Sequence, residues 1–347
     1  AVVEYRRAYD RYFEECAKAK RVALDELDST PRVVLLPGAG ALCFGRSKRE
    51  ARIAADITEH TLAAKALAQA VGRYQSASPS DLFDVEVWRL ERAKLGSSHR
   101  RPLDRQVVLV TGGAGAIGLG VADVCAAAGA HVVLADLDGA RAREAAARLE
   151  AGHGAGSAAA LEVDVTDEAS VRSGFDAACL HYGGVDVVVP NAGIALVSPI
   201  EELSGDQARR VAEVNYLGVL NTIREAARVF RLQGTGGHIV VNSSKNVFAP
   251  GKDFGAYSAS KAAAHQISKI AALELAPLGV RVNLINADAI FDEGEVRSGL
   301  WEAVGPDRAR RRGLDADELP EFYRQRNLLR ARVRARHVGN AVVFFAS

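Results

Sequence analysis

Tyr257-Ser-Ala-Ser-Lys261 places a phenol and an ammonium four residues apart, one turn of a helix. A cation beside a phenol favours phenolate, drawing its pKa down from about 10 to where Tyr257 can exchange a proton with an alcohol or carbonyl. Ser244, just past the apolar run 239–241, can donate to or accept from a substrate oxygen. Tyrosine and lysine at this spacing occur by chance on many helices. Here they follow a glycine-rich loop and Ser244 in fixed order, which points to proton transfer beside a nucleotide.

The nucleotide reading rests on Thr111-Gly-Gly-Ala-Gly-Ala-Ile-Gly118, after an apolar run and ahead of a helical stretch. A chain turning tightly under a pyrophosphate needs glycine, and a helix N-terminus supplies N–H donors and the positive end of a dipole. An ordinary strand-to-helix turn would use some of the same glycines, so position carries the argument. The next strand ends at Asp136, whose carboxylate can accept both adenosine ribose hydroxyls and repels a 2′-phosphate. That predicts NAD rather than NADP; the alternative is an Asp136 that only caps the following helix. Asp164, in Val163-Asp-Val165, reads by itself as a turn aspartate.

These groups need a frame. Apolar runs at 107–110, 131–134, 160–163, 185–189, 238–241 and 281–285 alternate with helical stretches. Near-continuous apolar strands between helices specify a parallel sheet covered on both faces, a doubly wound, Rossmann-like α/β fold with ligand at the strand C-terminal ends. Upstream, 5–27 reads as a surface helix and 32–37 as a short buried strand. Residues 47–71 read as a long helix ending near Gly72, and a short helix runs through Trp88 to Leu95. The patternless stretch 96–102 reads as a linker, dividing a smaller α/β segment, 1–100, from a domain at 101–347.

The 347 residues are 48% hydrophobic and 25% charged with a net charge of +1, a globular balance that favours neither acidic nor basic partners. No apolar run approaches the roughly 20 residues of a membrane helix. The first ten residues do not read as a signal segment. Cys16, Cys43, Cys125 and Cys179 lie far apart, predicting reduced, buried thiols in a cytoplasmic protein. Ten arginines crowd the end of the chain, at 308, 310, 311, 312, 324, 326, 330, 332, 334 and 336. The main reading is a solvated face with ion pairs to Asp315, Asp317, Glu318 and Glu321; phosphate on a substrate is the second. Without an aromatic stacking platform, nucleic acid is not expected.

With those motifs in order, 101–347 resembles the short-chain dehydrogenase/reductase family, through TGGAGAIG at 111–118, DV at 164–165, NAG at 191–193, Asn215 in NYLG, Ser244 in NSSK, and YSASK at 257–261. The resemblance implies Tyr257 as general acid/base and Lys261 as the group that lowers its pKa and binds the nicotinamide ribose. Ser244 would orient substrate and Asn215 would hold a relay water. NAD would lie along Thr111, Gly112, Gly115, Ile117, Gly118, Asp136, Asp164, Val165, Asn191, Ala192 and Gly193, with Tyr257 and Lys261. It also implies a homodimer or homotetramer. Three departures stand out: Ala116 where glycine is usual, Asn286-Ala287-Asp288 where Pro-Gly is usual, and no closing strand after Ser347.

Residues 31–60 and 83–95, with 245–263, 286–291 and 318–329, resemble bifunctional rhamnulose-1-phosphate aldolase/alcohol dehydrogenases, around the junction of their two parts. The resemblance implies an oxidoreductase for a small hydroxy-aldehyde, hydroxy-ketone or sugar-derived alcohol, lactaldehyde-like, in deoxysugar breakdown. A class II aldolase binds its divalent metal through histidines. Here Ala39 stands at the comparable ligand position, no His-x-His occurs, and His60 reads as a surface residue. No metal is expected, and 1–100 reads as a non-catalytic piece that packs on a partner or a second copy. Aldolase-type lyase activity and a non-catalytic cofactor-binding module remain the alternatives.

Overall fold

In the computed structural model, residues 2–23, 27–88, 100–293 and 296–347 are described. They divide into two units, Ala1–Arg100 and Arg101–Ser347.

The first unit begins with helix α1, Val2–Lys20. Strands Val33–Leu36 (β1) and Gly40–Cys43 (β2) form an antiparallel hairpin whose turn uses Gly38, at φ +75°. Helix α2, Lys48–Val71, starts where the Ser47 hydroxyl accepts the Glu50 N–H and stops at Gly72. Helix α3 spans Pro79–Val87, and its Phe83 packs among Tyr12 and Phe13 of α1. The run expected to be a buried strand is not one: Leu35 and Leu36 are 56% and 41% exposed. A two-stranded hairpin has one hydrogen-bonded neighbour and no second layer to sandwich it. Likewise α2 keeps its predicted length but buries no residue. Helix α3 covers Pro79–Val87; the helix predicted through Trp88 to Leu95, apart from Trp88, and most of the predicted linker lie outside the described residues.

The second unit is built on a parallel sheet of β3 (Val107–Thr111), β4 (His131–Asp136), β5 (Ala158–Glu162), β6 (Val187–Val189), β7 (Gly237–Asn242) and β8 (Val280–Ile285), in the order β5-β4-β3-β6-β7-β8. Between them run α4 (Ala116–Ala127), α5 (Gly139–His153), α6 (Glu168–Tyr182), α7 (Gly205–Ala212), α8 (Gly218–Gln233) and α9 (Gly255–Leu275). Two short strands, β9 (Asp292–Glu293) and β10 (Val296–Arg297), precede α10 (Gly299–Arg310), α11 (Leu319–Arg326) and α12 (Ala335–Ala346).

Strand β3 shows why the sequence pattern was continuous. Val108 and Val110 face Leu119 and Ala122 of α4 and Val338 and Val342 of α12. Val107 and Leu109 face Phe175 of α6, Ile223 and Phe230 of α8, and Ala264 of α9. Both faces are covered, so both parities are apolar. Each such fully buried side chain contributes roughly 1.5–3 kcal/mol. The chain travels outward from β3 to β5, then returns to the other side of β3 with β6. That reversal opens a crevice beyond the C-terminal ends of β3 and β6.

All four cysteines are free, but only Cys125 is buried; Cys16, Cys43 and Cys179 are half-exposed, which corrects the expectation of four buried thiols. Among the described residues no helix is long and apolar enough to cross a membrane.

Candidate active site

Parallel strands end together, so their last residues meet. Thr111 closes β3, and its buried hydroxyl accepts the N–H groups of Asn191 (3.0 Å) and Ala192 (3.2 Å). The Asn191 side chain donates to Thr111 O (2.9 Å) and Gly112 O (3.1 Å), and its own oxygen accepts from Asn242 Nδ2 at 2.8 Å. Asn242, the last residue of β7, then offers its carbonyl to Lys261 Nζ at 3.1 Å. One run of hydrogen bonds thus joins the glycine loop to the buried lysine.

Within the loop, Gly112 has φ +63°, and a Cβ there would lie 2.9 Å from Ala192 Cα. At Gly118 a Cβ would stand 2.2 Å from Gly112 O, so the helix can pass under the turn only as glycine. Gly115 differs: its Cβ would meet nothing nearer than Gly112 O at 3.5 Å. The protein's own packing leaves that space free. Gly115 also caps α4 without a side-chain hydrogen bond, leaving the first N–H groups of the helix without a side-chain acceptor. Ala116, the departure noted in the sequence, is buried as the first residue of α4, and Ile117 packs against the adjoining core.

Asp136 stands across from the loop, accepting N–H groups from Ala114 (2.9 Å) and Asp138 (3.0 Å). It does not cap the next helix; Asp138 does. Asp164 accepts both the N–H and the hydroxyl of Thr166, the turn role open to it from sequence alone. The Val165 carbonyl beside it accepts Asn221 Nδ2 at 3.0 Å. Gly193 lies where a Cβ would come within 3.1 Å of Asn215 Oδ1 and 3.4 Å of Lys261 Nζ.

Asn215 is fully buried in a π-helical turn, Glu213–Leu217, between α7 and α8. Its Oδ1 accepts Ile194 N–H, while Nδ2 donates to Ile194 O and Ser260 Oγ. Helix α9 carries Tyr257 and Lys261 on one face, the Lys261 ammonium 6.0 Å from the Tyr257 ring centre. Ser244, 6% exposed, begins the short 3-10 turn Lys245–Val247. Burial pushes the Tyr257 phenol up, and its hydrogen bond with Ser244 pulls it down. The net direction is upward, burial outweighing the Ser244 hydrogen bond. Burial brings Lys261 itself down to about 8.

Three contributors escaped the sequence reading. Asn242 sits in the same Asn-Ser-Ser-Lys stretch as Ser244, yet nothing in its type marks it out. Phe254 meets Tyr257 edge-on, centroids 5.8 Å apart. Lys245 holds the unusual loop after β8: its ammonium pairs with Asp288 at 3.1 Å and its N–H reaches Ala287 O at 3.1 Å. The arginine-rich end divides. Arg310, Arg311, Arg324 and Arg332 pair with Asp307, Asp253, Glu321 and Asp292; of the four acids expected as partners only Glu321 is among them, the others lying farther off in sequence or in α10 itself. Arg312 and Arg326 instead lie over the Phe322 ring, 4.7 and 5.6 Å from its centre, so the charge does not lack aromatic company.

The short chain dehydrogenase family model matches residues 106–293, and that of the aldolase class II second domain matches 1–95. The chain is 35% identical over 321 residues, 92% of its length, to the uncharacterized oxidoreductase YuxG of Bacillus subtilis, of which it spans 46%. It is 33% identical to L-2,3-butanediol dehydrogenase of Corynebacterium glutamicum, over 63% of this chain and 82% of that protein. Among solved structures, sorbitol-6-phosphate 2-dehydrogenase of Erwinia amylovora superposes with a TM-score of 0.64 at 28% identity, over 69% of this chain and 92% of that one. The chain belongs to the short chain dehydrogenase family, an oxidoreductase fold of nicotinamide-using enzymes, with a class II aldolase-like segment ahead of it.

Proposed function

We propose that the site is an NAD-dependent oxidoreductase centre for a small hydroxy-aldehyde, hydroxy-ketone or sugar-derived alcohol, lactaldehyde-like, with Tyr257 as general acid/base. The observation that carries it is the meeting of Ser244, Tyr257 and Lys261 beside the Asn242 carbonyl at the end of the crevice.

The cofactor cradle fits on the chain's own terms. Gly115 keeps open a space that folding does not require, and the uncapped start of α4 directs N–H donors toward it, a fit for pyrophosphate. Thr111, Gly112, Gly118 and Ile117 shape that turn, and Asp136 and Asp164 with Val165 stand on the adenosine side. Asn191, Ala192 and Gly193 line the way to Lys261. Asp136 favours NAD because a second anion beside its carboxylate is repelled. When bound, the nicotinamide supplies the hydride acceptor or donor.

Tyr257 moves the proton at its hydroxyl, and Ser244 holds the same oxygen of the substrate. Lys261 fixes the ribose and, protonated, favours the phenolate. Both amide hydrogens of Asn215 are engaged, so a relay water beside it binds a carbonyl oxygen rather than the side-chain NH2. A homodimer or homotetramer in the cytoplasm belongs to the same reading, supported by the exposed Leu232, Ile270 and Leu273 on α8 and α9. Residues 1–100 are read as non-catalytic, since Ala39 stands at the comparable ligand position and His60 is exposed on α2. The activity of a longer protein like YuxG, only part of which this chain matches, is likewise a proposal.

The test is NADH formation across short diols, hydroxy-aldehydes and deoxysugar phosphates. Turnover is expected to fall at least a thousandfold in Tyr257→Phe; retained turnover would sink the assignment.

A further inference from the structure

Helix α10 places one arginine where an arginine is costly. Arg308 is 4% exposed; one N–H donates to Lys252 O at 2.8 Å, and its buried Nε has no partner. Its guanidinium lies 4.9 Å from the centre of Phe254, the ring that meets Tyr257 edge-on. A carbonyl and a ring face compensate a buried cation poorly. The nearby acids are already taken: Asp253 by Arg311, Asp307 by Arg310, Glu321 by Arg324 and Asp288 by Lys245.

Two more guanidiniums stand close by. Arg312 and Arg326 share the Phe322 ring, Arg326 also lies 5.5 Å from the Tyr323 centre, and Lys245 reaches the same ring at 5.6 Å. Among the described residues neither Arg312 nor Arg326 has a carboxylate partner. Arg308 and Arg326 both oppose the Arg312 charge. Like charges gathered without carboxylate partners, one of them a single ring away from Tyr257, suit an anion.

We infer that Arg308, Arg312 and Arg326 bind an anionic group of the substrate, a phosphate or a carboxylate, while its hydroxyl or carbonyl carbon faces Tyr257. This rests on the proposed oxidoreductase reading and names the substrate class within it: a small hydroxy or oxo compound bearing an anion. Phe254 separates the two ends, holding the anion one ring away from the phenol.

The test uses the full chain with NAD+ and three alcohols alike at the reacting end: a neutral 1,2-diol, a 2-hydroxy carboxylate and the diol's phosphate monoester. The better anionic alcohol is expected to exceed the diol at least tenfold in kcat/KM, and whichever leads identifies the anion. In Arg312→Ala/Arg326→Ala, and separately in Arg308→Lys, that ratio should collapse toward one. If the buried Arg308→Lys variant does not fold, the double variant decides. A second measurement needs no turnover: with NAD+ saturating, inorganic phosphate should raise Tm more than chloride at equal ionic strength in the parent, and not in the double variant. A diol used as well as either anion, or a ratio that survives in the double variant, overturns the inference and leaves the oxidoreductase reading standing. If no alcohol yields NADH, that reading fails, and the phosphate experiment alone decides the anion site.

Discussion

Replacing Lys261 by methionine should abolish turnover and stabilise the protein, by an amount that depends on pH. Burial brings the Lys261 ammonium down to about 8, whereas an unfolded lysine titrates near 10.4. A base whose folded value is depressed penalises the fold wherever it must carry its proton. The penalty is complete below the folded value, shrinks as pH rises between the two, and vanishes above the unfolded one. About two and a half units correspond to roughly 3 kcal/mol. Losing the Nζ bond to Asn242 O returns about 1 kcal/mol. Lys261→Met should therefore gain about 2 kcal/mol at pH 7, or about 4–8 °C in Tm for a unit of this size. Near pH 10.5 the gain should be gone and the variant slightly the weaker. The assay is thermal unfolding of the full chain at both pH values, following the transition that NAD+ shifts in the parent. A variant less stable at pH 7, or equally stabilised at both, would refute the reasoning.

Other substitutions separate fold from chemistry. Ser244→Ala removes the hydrogen bond that pulls the Tyr257 phenol down; the acidic limb of kcat/KM for alcohol oxidation should move to higher pH, and an unmoved limb counts against the Ser244–Tyr257 bond. Asp136→Ala should raise NADP use relative to NAD at least tenfold, read as the ratio of the two kcat/KM values, although it also frees the Ala114 N–H. Gly115→Ala should leave Tm within about 1 °C while weakening NAD binding tenfold or more by titration, because its Cβ enters space the protein does not fill. Gly118→Ala, whose Cβ would collide with Gly112 O, should lower Tm and cofactor affinity together.

Much of this was legible in the chain itself. Strands covered on both faces leave continuous apolar runs, so β3 through β8 could be read almost to their ends. Helix α2 was read nearly residue for residue because Ser47 and Gly72 are boundary residues by their chemistry. The same periodicity is silent about burial: it records which face is apolar and not whether anything covers it, as Ile53 and Leu67 show. The loop, Asp136 and the tyrosine–lysine pair were visible because each residue type is demanded by what it does locally. Asn242 and Arg308 were not, since each matters through partners distant in sequence, a lysine nineteen residues on and a carbonyl fifty-six residues back. The direction of the Tyr257 shift also required the fold, because burial, which no spacing reveals, outweighs the hydrogen bond with Ser244.

The amide of Asn191 sets a limit on how this protein ages. Hydrolysis to aspartate changes only the NH2 into an oxygen, yet that NH2 faces the carbonyls of Thr111 and Gly112 at 2.9 and 3.1 Å. A carboxylate there would set negative charge against two acceptors and split the link between cofactor loop and lysine. Spontaneous hydrolysis proceeds when the following backbone nitrogen attacks the side-chain carbon. That nitrogen belongs to Ala192, and its N–H is held by the Thr111 hydroxyl at 3.2 Å. The hydroxyl that orders the strand ends is thus also a chemical preservative, and Thr111→Val should shorten the working life of the enzyme as well as loosen its cofactor loop.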